Sequence, residues 1–200
     1  MQDSALCRVL PTKPKIVFKR ARSVRNIVAP SQIKNKKQRS VNNIPLFLNM
    51  VGSYRCKLKR CMACNFMHHG KKHFVGKDGR TFNIQQFVCC GTQFVVYGLR
   101  CPCGLFYVGR TVRAMRTRFG EHRRFIEQKK DKHSVPRHFC QVHGGSTEGL
   151  ELFGIEAIPM TLSEGERFSR LCMRETYWIF TLNSMSPDGL NEELEVGTLI

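Results

Sequence analysis

The sequence predicts a mixed α/β (α+β) fold in which a β-hairpin is followed by helices and one further strand. A run of β-branched and aromatic residues at 94–99 leads to the turn signal Pro102–Gly104 and to a second apolar run at 105–108. Apolar residues then recur at helical spacing after Thr111, and Ser163–Glu166 has the form of a helix capping box. The 200 residues, 42% of them hydrophobic, suffice for one domain of ordinary size and a smaller module.

Residues 1–50 are predicted to form a basic arm that is largely extended or disordered. Four prolines interrupt this arm, and its apolar residues follow no sustained period. Its cluster Lys34–Arg39 fits a nuclear address or a phosphate contact, and it fits a solvated linker equally well. Residues 51–90 are predicted to form a Cys/His-rich zinc-binding linker module, which ends in the short strand Phe82–Cys90.

The main domain, residues 91–195, begins with the predicted strand Phe94–Leu99 and the returning strand Leu105–Val108. Thr111 is a candidate N-cap for a helix that extends to about Gln128. The side chains at helical spacing in this segment are Met115, Phe119, His122 and Ile126. They predict that one face of this helix is buried.

The second half of the main domain contains a short predicted helix, Val135–Val142, which the pair Gly144–Gly145 ends. A third strand is predicted at Leu150–Ile158, and a long helix follows Ser163. One face of that helix carries Phe168, Leu171, Cys172, Glu175, Trp178, Ile179 and Leu182.

The net charge of +18 is unevenly distributed. Residues 1–90 contain 19 Lys/Arg against two acidic residues, whereas residues 138–200 contain three against ten. This asymmetry indicates a polyanionic partner, and nucleic acid is the expected one. A solvated basic surface or a ribosomal-type tail is the alternative. The sequence has no run of the roughly 18 apolar residues that a membrane helix needs, and no apolar signal region, so we expect an intracellular protein without a membrane partner.

Ten cysteines in an intracellular chain favour metal binding over disulfides. The first predicted zinc site takes three thiolates at finger-like spacing, Cys56, Cys61 and Cys64. Its fourth ligand is left open among Cys90, His68 and His69. The second predicted site combines the pair Cys101 and Cys103 with His138 and His143. Free thiols and surface histidines are the alternative for both groups.

A second set of residues indicates phosphodiester chemistry. Tyr97 and Tyr107 lie ten residues apart on the predicted hairpin, and a basic helix follows them. Arg118 and His122 are four residues apart, so they share a helix face with apolar neighbours. Glu175 lies on the apolar face of the last helix, where a carboxylate either pairs with an arginine or binds a divalent metal.

This set resembles the ordered signature of the GIY-YIG nuclease family. The matching positions are Tyr97, Tyr107–Gly109, Arg118, His122, Glu175 and Asn191. More closely, residues 90–195 resemble the endonuclease region of Penelope-like retroelements, and a weaker resemblance extends upstream through the cysteine cluster. The stretches that carry this likeness are 95–111, Glu121–His122, Arg137–Phe139, Arg174–Ile179 and Gly189–Asn191.

The resemblance implies a small three-stranded antiparallel sheet flanked by helices. It implies one divalent ion, Mg²⁺ or Mn²⁺, held by Glu175, and a general base or water-orienting role for Tyr97 or Tyr107. Arg118 would neutralise charge on the scissile phosphate. The remaining roles are hydrogen bonding and proton transfer for His122 and maintenance of the site geometry for Asn191. For the zinc sites, it favours Cys90 as the fourth ligand of the first and a Cys-Cys-His-His set for the second.

The expected activity is therefore that of a metal-dependent DNA endonuclease that nicks one strand in the nucleus. Five arginines would surround its cleft and contact phosphates without reading sequence, namely Arg110, Arg113, Arg116, Arg123 and Arg124. In an intact retroelement, RNA or a reverse transcriptase would be a further partner. Two alternatives are a catalytically inactive zinc-dependent nucleic-acid-binding protein and a zinc-stabilised ribosomal-type protein. One departure from a regular helix is Gly120, which reflects either close packing or relaxed constraint.

Overall fold

The computed structural model of the protein describes residues 50–192, which fall within one compact unit and have a mixed α/β architecture. The predicted arm therefore lies outside the described residues. Strands β1 to β7 are Gly52–Tyr54, His73–Val75, Thr81–Asn83, Phe87–Cys89, Val95–Arg100, Phe106–Thr111 and Glu151–Ala157. Helices α1 to α3 are Met115–Glu127, Ser134–His143 and Glu164–Thr181, and a short 3-10 helix spans Met62–Asn65.

A three-stranded antiparallel sheet forms the centre of the fold, with the strand order β6-β5-β7. The central strand β5 is buried except at its last residue, because neighbouring elements cover both of its faces. On β7, a Cβ added to Gly154 would lie 2.1 Å from the Val88 side chain. Glycine is required at this position because β4 approaches the sheet so closely.

The Cys-rich segment contains two small sheets instead of the single strand predicted at Phe82–Cys90. Strand β3 pairs antiparallel with β2, while β4 pairs in parallel with β1. The predicted strand breaks because its first half pairs with the neighbouring β2 and its second half with the distant β1. The segment shares its core with the main sheet, since the Phe74 and Phe153 rings lie 4.8 Å apart.

Helix α1 begins at Met115 with Ala114 as its N-cap, so the prediction of Thr111 as the cap is wrong. Thr111 still belongs to β6, where it pairs with Val95. Its hydroxyl accepts a hydrogen bond from the Arg113 amide and donates one to the Arg113 carbonyl, both at 3.1 Å. The chain therefore turns before it becomes helical. The four predicted inward side chains of α1 are buried.

The last two helices follow the sequence prediction closely. Helix α2 packs against α1 and ends at Gly144, which adopts the left-handed conformation with φ 62°. Helix α3 begins with the predicted capping box between Ser163 and Glu166. One residue differs, because Phe168 is 39% exposed instead of packing in the core.

Gly120 lies on the exposed side of α1, and a Cβ added there would meet no atom within 4 Å. Close packing therefore does not explain this glycine. We expect Gly120→Ala to increase the free energy of unfolding by about 1 kcal/mol, because alanine favours the helix and no contact is lost. Thermal denaturation should show a Tm higher by roughly 2–4 °C. The control is Gly104→Ala, which also enters open space but at φ 90°, and which should lower the Tm. A lower Tm for Gly120→Ala would contradict the prediction.

Candidate active site and metal centres

A cavity of about 500 Å³ lies between β6, α1 and α3. Its lining includes five of the six residues predicted to be catalytic: Tyr107, Arg118, His122, Glu175 and Asn191. The sixth, Tyr97, is fully buried, and its hydroxyl lies 2.8 Å from Nε2 of His122. Residues from a hairpin, two helices and the segment after α3 thus meet around one hollow.

The two tyrosines differ in their access to the cavity. Tyr97 pairs with Gly109 across the hairpin, and a Cβ on Gly109 would lie 2.7 Å from both the Tyr97 hydroxyl and the Tyr107 ring. The absence of a side chain at Gly109 therefore leaves room for both phenol rings. Burial raises the pKa of Tyr97 well above its ordinary value, and the nearby Tyr107 raises it further. Tyr97 therefore stays protonated. Because Tyr97 is fully buried and Tyr107 lines the cavity, Tyr107 is the phenol that a substrate can reach.

His122 is only 5% exposed and forms a hydrogen bond with Tyr97. Burial lowers its pKa to about 3, and the positive charge of Arg118 contributes in the same direction. The imidazole is therefore neutral at pH 7. It can orient the Tyr97 hydroxyl, but it does not carry a proton that could be donated from an imidazolium. In this neutral form the imidazole can still accept a proton.

The buried neutral state of His122 predicts an acid-sensitive fold. The unfolded chain binds a proton here below about pH 6.5, whereas the folded chain does so only below about 3, so stability is lost as the pH falls through this window. Between pH 7.5 and 5, we expect the wild-type protein to lose about 2 kcal/mol more than His122→Gln. Urea unfolding at both pH values measures this difference. Acid also affects the cysteine and histidine clusters, but it does so equally in both proteins, so this effect cancels in the difference between their free energies of unfolding. Parallel losses in the two proteins would contradict the assignment.

Glu121 holds the arginines of the cavity in place, and the sequence analysis did not identify it. Its carboxylate accepts a hydrogen bond from Arg118 at 3.0 Å and pairs with Arg113 at 2.7 Å. Burial alone would lower the pKa of Arg118, but the adjacent phenols and this carboxylate raise it above its ordinary value, so Arg118 is always charged. The three-residue spacing between Arg118 and Glu121 on one helix is the sequence feature that could have identified this ion pair.

Glu175 is 13% exposed and forms an ion pair with Arg110 inside the cavity. The ion pair is one of the two outcomes considered for this carboxylate, and both partners line the cavity. Mg²⁺ needs only one or two protein carboxylates, since waters complete its coordination. The other acidic residue of the lining, Glu192, pairs with Arg137 at 2.6 Å. The donor chemistry thus fits one divalent ion that shares Glu175 with Arg110.

Asn191 attaches the segment after α3 to the outer strand of the sheet. Its side-chain oxygen accepts a hydrogen bond from the Val108 amide at 2.9 Å, and its side-chain nitrogen donates to the Val108 carbonyl at 2.7 Å. The amide therefore satisfies both backbone groups next to Tyr107. Such a contact positions the hairpin without requiring Asn191 to react.

The five arginines predicted to contact DNA do not all surround the cavity. Arg110 and Arg113 line it, whereas the other three are absent from its lining. Arg123 pairs with Glu127 at 3.5 Å, and the Arg124 guanidinium lies 5.6 Å from the Phe125 ring centre. The cavity lining does include Phe125, together with the exposed residues Val112 and Phe168.

The first predicted metal centre is a cluster of four thiols. Its members are Cys56, Cys61, Cys64 and Cys90, whose sulfur atoms all lie within 4.8 Å of one another. The two histidines considered as alternatives are engaged elsewhere, His68 with Glu151 at 3.1 Å and His69 with the Arg55 amide at 3.2 Å. Such a group can hold a metal ion, and four thiolates are typical of structural zinc.

The second predicted centre joins the hairpin turn to α2. It consists of Cys101, Cys103, His138 and His143, whose ligand atoms also lie within 4.8 Å of one another. The Cys101 sulfur lies 2.9 Å from His143 Nε2 and 3.1 Å from His138 Nε2. A metal ion here would fix α2 and the loop before it, which lines the cavity at 132–135.

The four-cysteine cluster also anchors the start of α1. Cys90 contributes its thiol to the cluster, and its carbonyl accepts a hydrogen bond from the Arg116 amide at 2.7 Å. The Thr92 carbonyl similarly accepts from the Met115 amide at 2.9 Å. The position of Arg118, less than one turn further along α1, therefore depends on the geometry of this cluster.

Among residues 50–192, no helix combines the length and apolar character required to cross a membrane. No protein-family model, curated protein or solved structure matches this chain.

Proposed function

We propose that this protein is a divalent-metal-dependent DNA endonuclease of the GIY-YIG type that nicks one strand. We further propose that it belongs to, or derives from, a Penelope-like retroelement, that it acts in the nucleus, and that both cysteine-containing centres bind zinc. The observation that carries the proposal is the cavity in which Tyr107, Arg118 and Glu175 converge. Its volume of about 500 Å³ accommodates a phosphate group and several waters.

In the proposed reaction, a water oxygen forms a bond to phosphorus as the bond from phosphorus to the 3′ oxygen breaks. The Tyr107 hydroxyl orients the water. The buried residues Tyr97 and His122 hold Tyr107 in position. Arg118 neutralises the charge that develops on the phosphate oxygens. The attacking water releases one proton to solvent and becomes an oxygen of the new 5′ phosphate, and the leaving 3′ oxygen takes one proton from solvent and becomes a 3′ hydroxyl. A divalent cation bound at Glu175 would supply further charge neutralisation.

The decisive experiment compares plasmid nicking by the wild-type protein and Glu175→Gln in the presence of Mg²⁺ or Mn²⁺. We expect the variant to be slower by roughly 100–1000-fold, because an amide does not replace a carboxylate ligand. Glu164→Gln is the matched control, since Glu164 is an exposed acid on the same helix and outside the cavity lining. Equal cutting by the wild-type protein and Glu175→Gln would refute the metal assignment.

The second candidate function is that of a zinc-dependent nucleic-acid-binding protein without activity. The ion pair between Arg110 and Glu175 favours it, because the guanidinium already satisfies the carboxylate that would hold the metal. The two functions differ in their Mn²⁺ stoichiometry. The endonuclease binds one Mn²⁺ that Glu175→Gln loses, as electron paramagnetic resonance can detect, whereas the inactive protein binds none at this position and cuts no plasmid.

A further inference from the structure

Six cations of the Cys-rich segment have no acidic partner within the described part of the chain. Lys77 pairs with Asp188 at 3.2 Å, and Arg80 pairs with Asp78. The six unpaired residues, here called the module cations, are Arg55, Lys57, Lys59, Arg60, Lys71 and Lys72. All six are exposed. Cations crowded in this way repel one another unless a polyanion joins them.

Most arginines in the rest of the described chain do have a carboxylate partner. The pairs include Arg100 with Glu151 at 3.2 Å and Arg174 with Glu156 at 2.6 Å. The Cys-rich segment differs because it contains only one acidic residue, Asp78, so its own side chains cannot balance the charge of the module cations. This local excess of positive charge favours a counter-charge from another molecule.

The loop 57–60 carries three of the module cations and is closed at both ends by the four-cysteine cluster. Cys56 precedes the loop, Cys61 follows it, and the Cys61 amide donates a hydrogen bond to the Leu58 carbonyl at 3.1 Å. Lys57 adopts φ 58°, a left-handed conformation that is unfavourable for lysine by about 1–2 kcal/mol. Leu58 is 55% exposed among the cations. The fold thus maintains a strained loop that presents charge and one apolar side chain outward.

Lys71 and Lys72 are also held in place by their backbone. The Lys71 carbonyl accepts a hydrogen bond from the Ser53 amide at 2.9 Å, and the Lys72 carbonyl accepts from the Ile84 amide at 2.8 Å. Their positions are fixed by elements on both sides. The backbone at these positions is therefore preorganised, which lowers the backbone part of the entropic cost of binding.

We propose that the module cations bind the phosphate backbone of duplex DNA beside the phosphodiester bond that is cleaved in the cavity. This inference deepens the proposed function and rests on it for the choice of DNA. The segment lies along β7, since Met67 bridges to Leu152, whereas the cavity lies at β6. The two outer strands of the sheet are roughly 10 Å apart, which is shorter than one turn of duplex, about 34 Å. A duplex that occupies the cavity is therefore long enough to extend past β7, where the proposal requires it to contact the module cations.

The test measures DNA binding by two full-length, metal-loaded variants that each lose two positive charges. Lys57→Gln/Lys59→Gln changes the module cations, and Lys129→Gln/Arg170→Gln removes exposed charges elsewhere. Both are made in a Glu175→Gln background to prevent cutting. Fluorescence anisotropy with a 30-base-pair duplex at several salt concentrations should show roughly tenfold weaker binding at 0.1 M salt for the first variant. The slope of log K against log salt should also fall by roughly two, as expected for two lost phosphate contacts.

Equal salt slopes for the two double variants would overturn the inference, provided that their zinc content and Tm match. A duplex RNA bound tenfold more tightly than the DNA would overturn it as well, because the partner would then be wrong. Plasmid nicking by the wild-type protein is scored separately. If the slope is reduced and no nicking occurs, the inference is supported and the endonuclease proposal fails. If nicking occurs and the slopes are unchanged, the endonuclease proposal is supported and the inference fails.

Discussion

Arg118→Gln is expected to slow nicking by about 100–1000-fold while the Kd for DNA changes little. The guanidinium is held by Glu121 at 3.0 Å and lines the cavity beside Tyr107, so its charge is already in place when the phosphate arrives. A preorganised cation acts mainly on charge that develops during the reaction, and removing one such group typically has an effect of this size. Single-turnover cleavage of a supercoiled plasmid, with binding measured in parallel, separates the two quantities.

The matched control for this substitution is Arg123→Gln. Arg123 is on the same helix and pairs with Glu127, but it does not line the cavity. Its replacement should leave the cleavage rate within about twofold of the wild-type value. If both variants were slowed to the same degree, general loss of positive charge would explain the result, and Arg118 would have no special role.

Cys64→Ser is expected to produce the largest loss of stability. The Cys64 sulfur lies 3.6 Å from the sulfurs of both Cys56 and Cys90, at the middle of the four-thiol cluster. Structural zinc contributes about 10–16 kcal/mol to the folding of finger peptides, so losing one ligand should destabilise the protein by several kcal/mol. The Tm should fall by roughly 10–20 °C, and the zinc content by one equivalent.

Cys140→Ser controls for the loss of a thiol that lies outside both clusters. It should retain all of the zinc and most of the stability, since its sulfur makes only a weak contact with the Ile126 carbonyl at 3.9 Å. An unchanged zinc content and Tm for Cys64→Ser would show that this cluster does not hold a stabilising metal ion.

Local patterns predicted the elements of the main domain well. The hairpin was recognisable because β-branched and aromatic residues flank a Pro-Cys-Gly turn, and α3 because Ser163 and Glu166 form a capping box that depends on neighbouring residues alone. The start of α1 was misplaced, because Thr111 has the chemistry of a cap but its backbone pairs with Val95. Strand pairing is a non-local interaction, and it overrode the local preference.

Residue types and spacing suggested the candidate site, whereas its contacts depend on the folded chain. Ligand spacing identified the other members of both cysteine-containing groups. Only the family resemblance favoured Cys90 over His68, since 26 residues separate Cys90 from Cys64. The ion pair of Glu175 could be anticipated, but its partner could not, because Arg110 is 65 residues away. The separate environments of Tyr97 and Tyr107 arise because Tyr97 lies on the central strand β5 and Tyr107 on the outer strand β6. Sequence alternation alone does not specify this.

Cys90 has two uses, since its sulfur joins the thiol cluster and its carbonyl caps the start of α1. Under the proposed function, a newly made chain that has not yet acquired zinc would hold Arg118 loosely. Loading with zinc would then act as a maturation step for the proposed endonuclease, and this delay would limit damage to the genome of the cell that makes it.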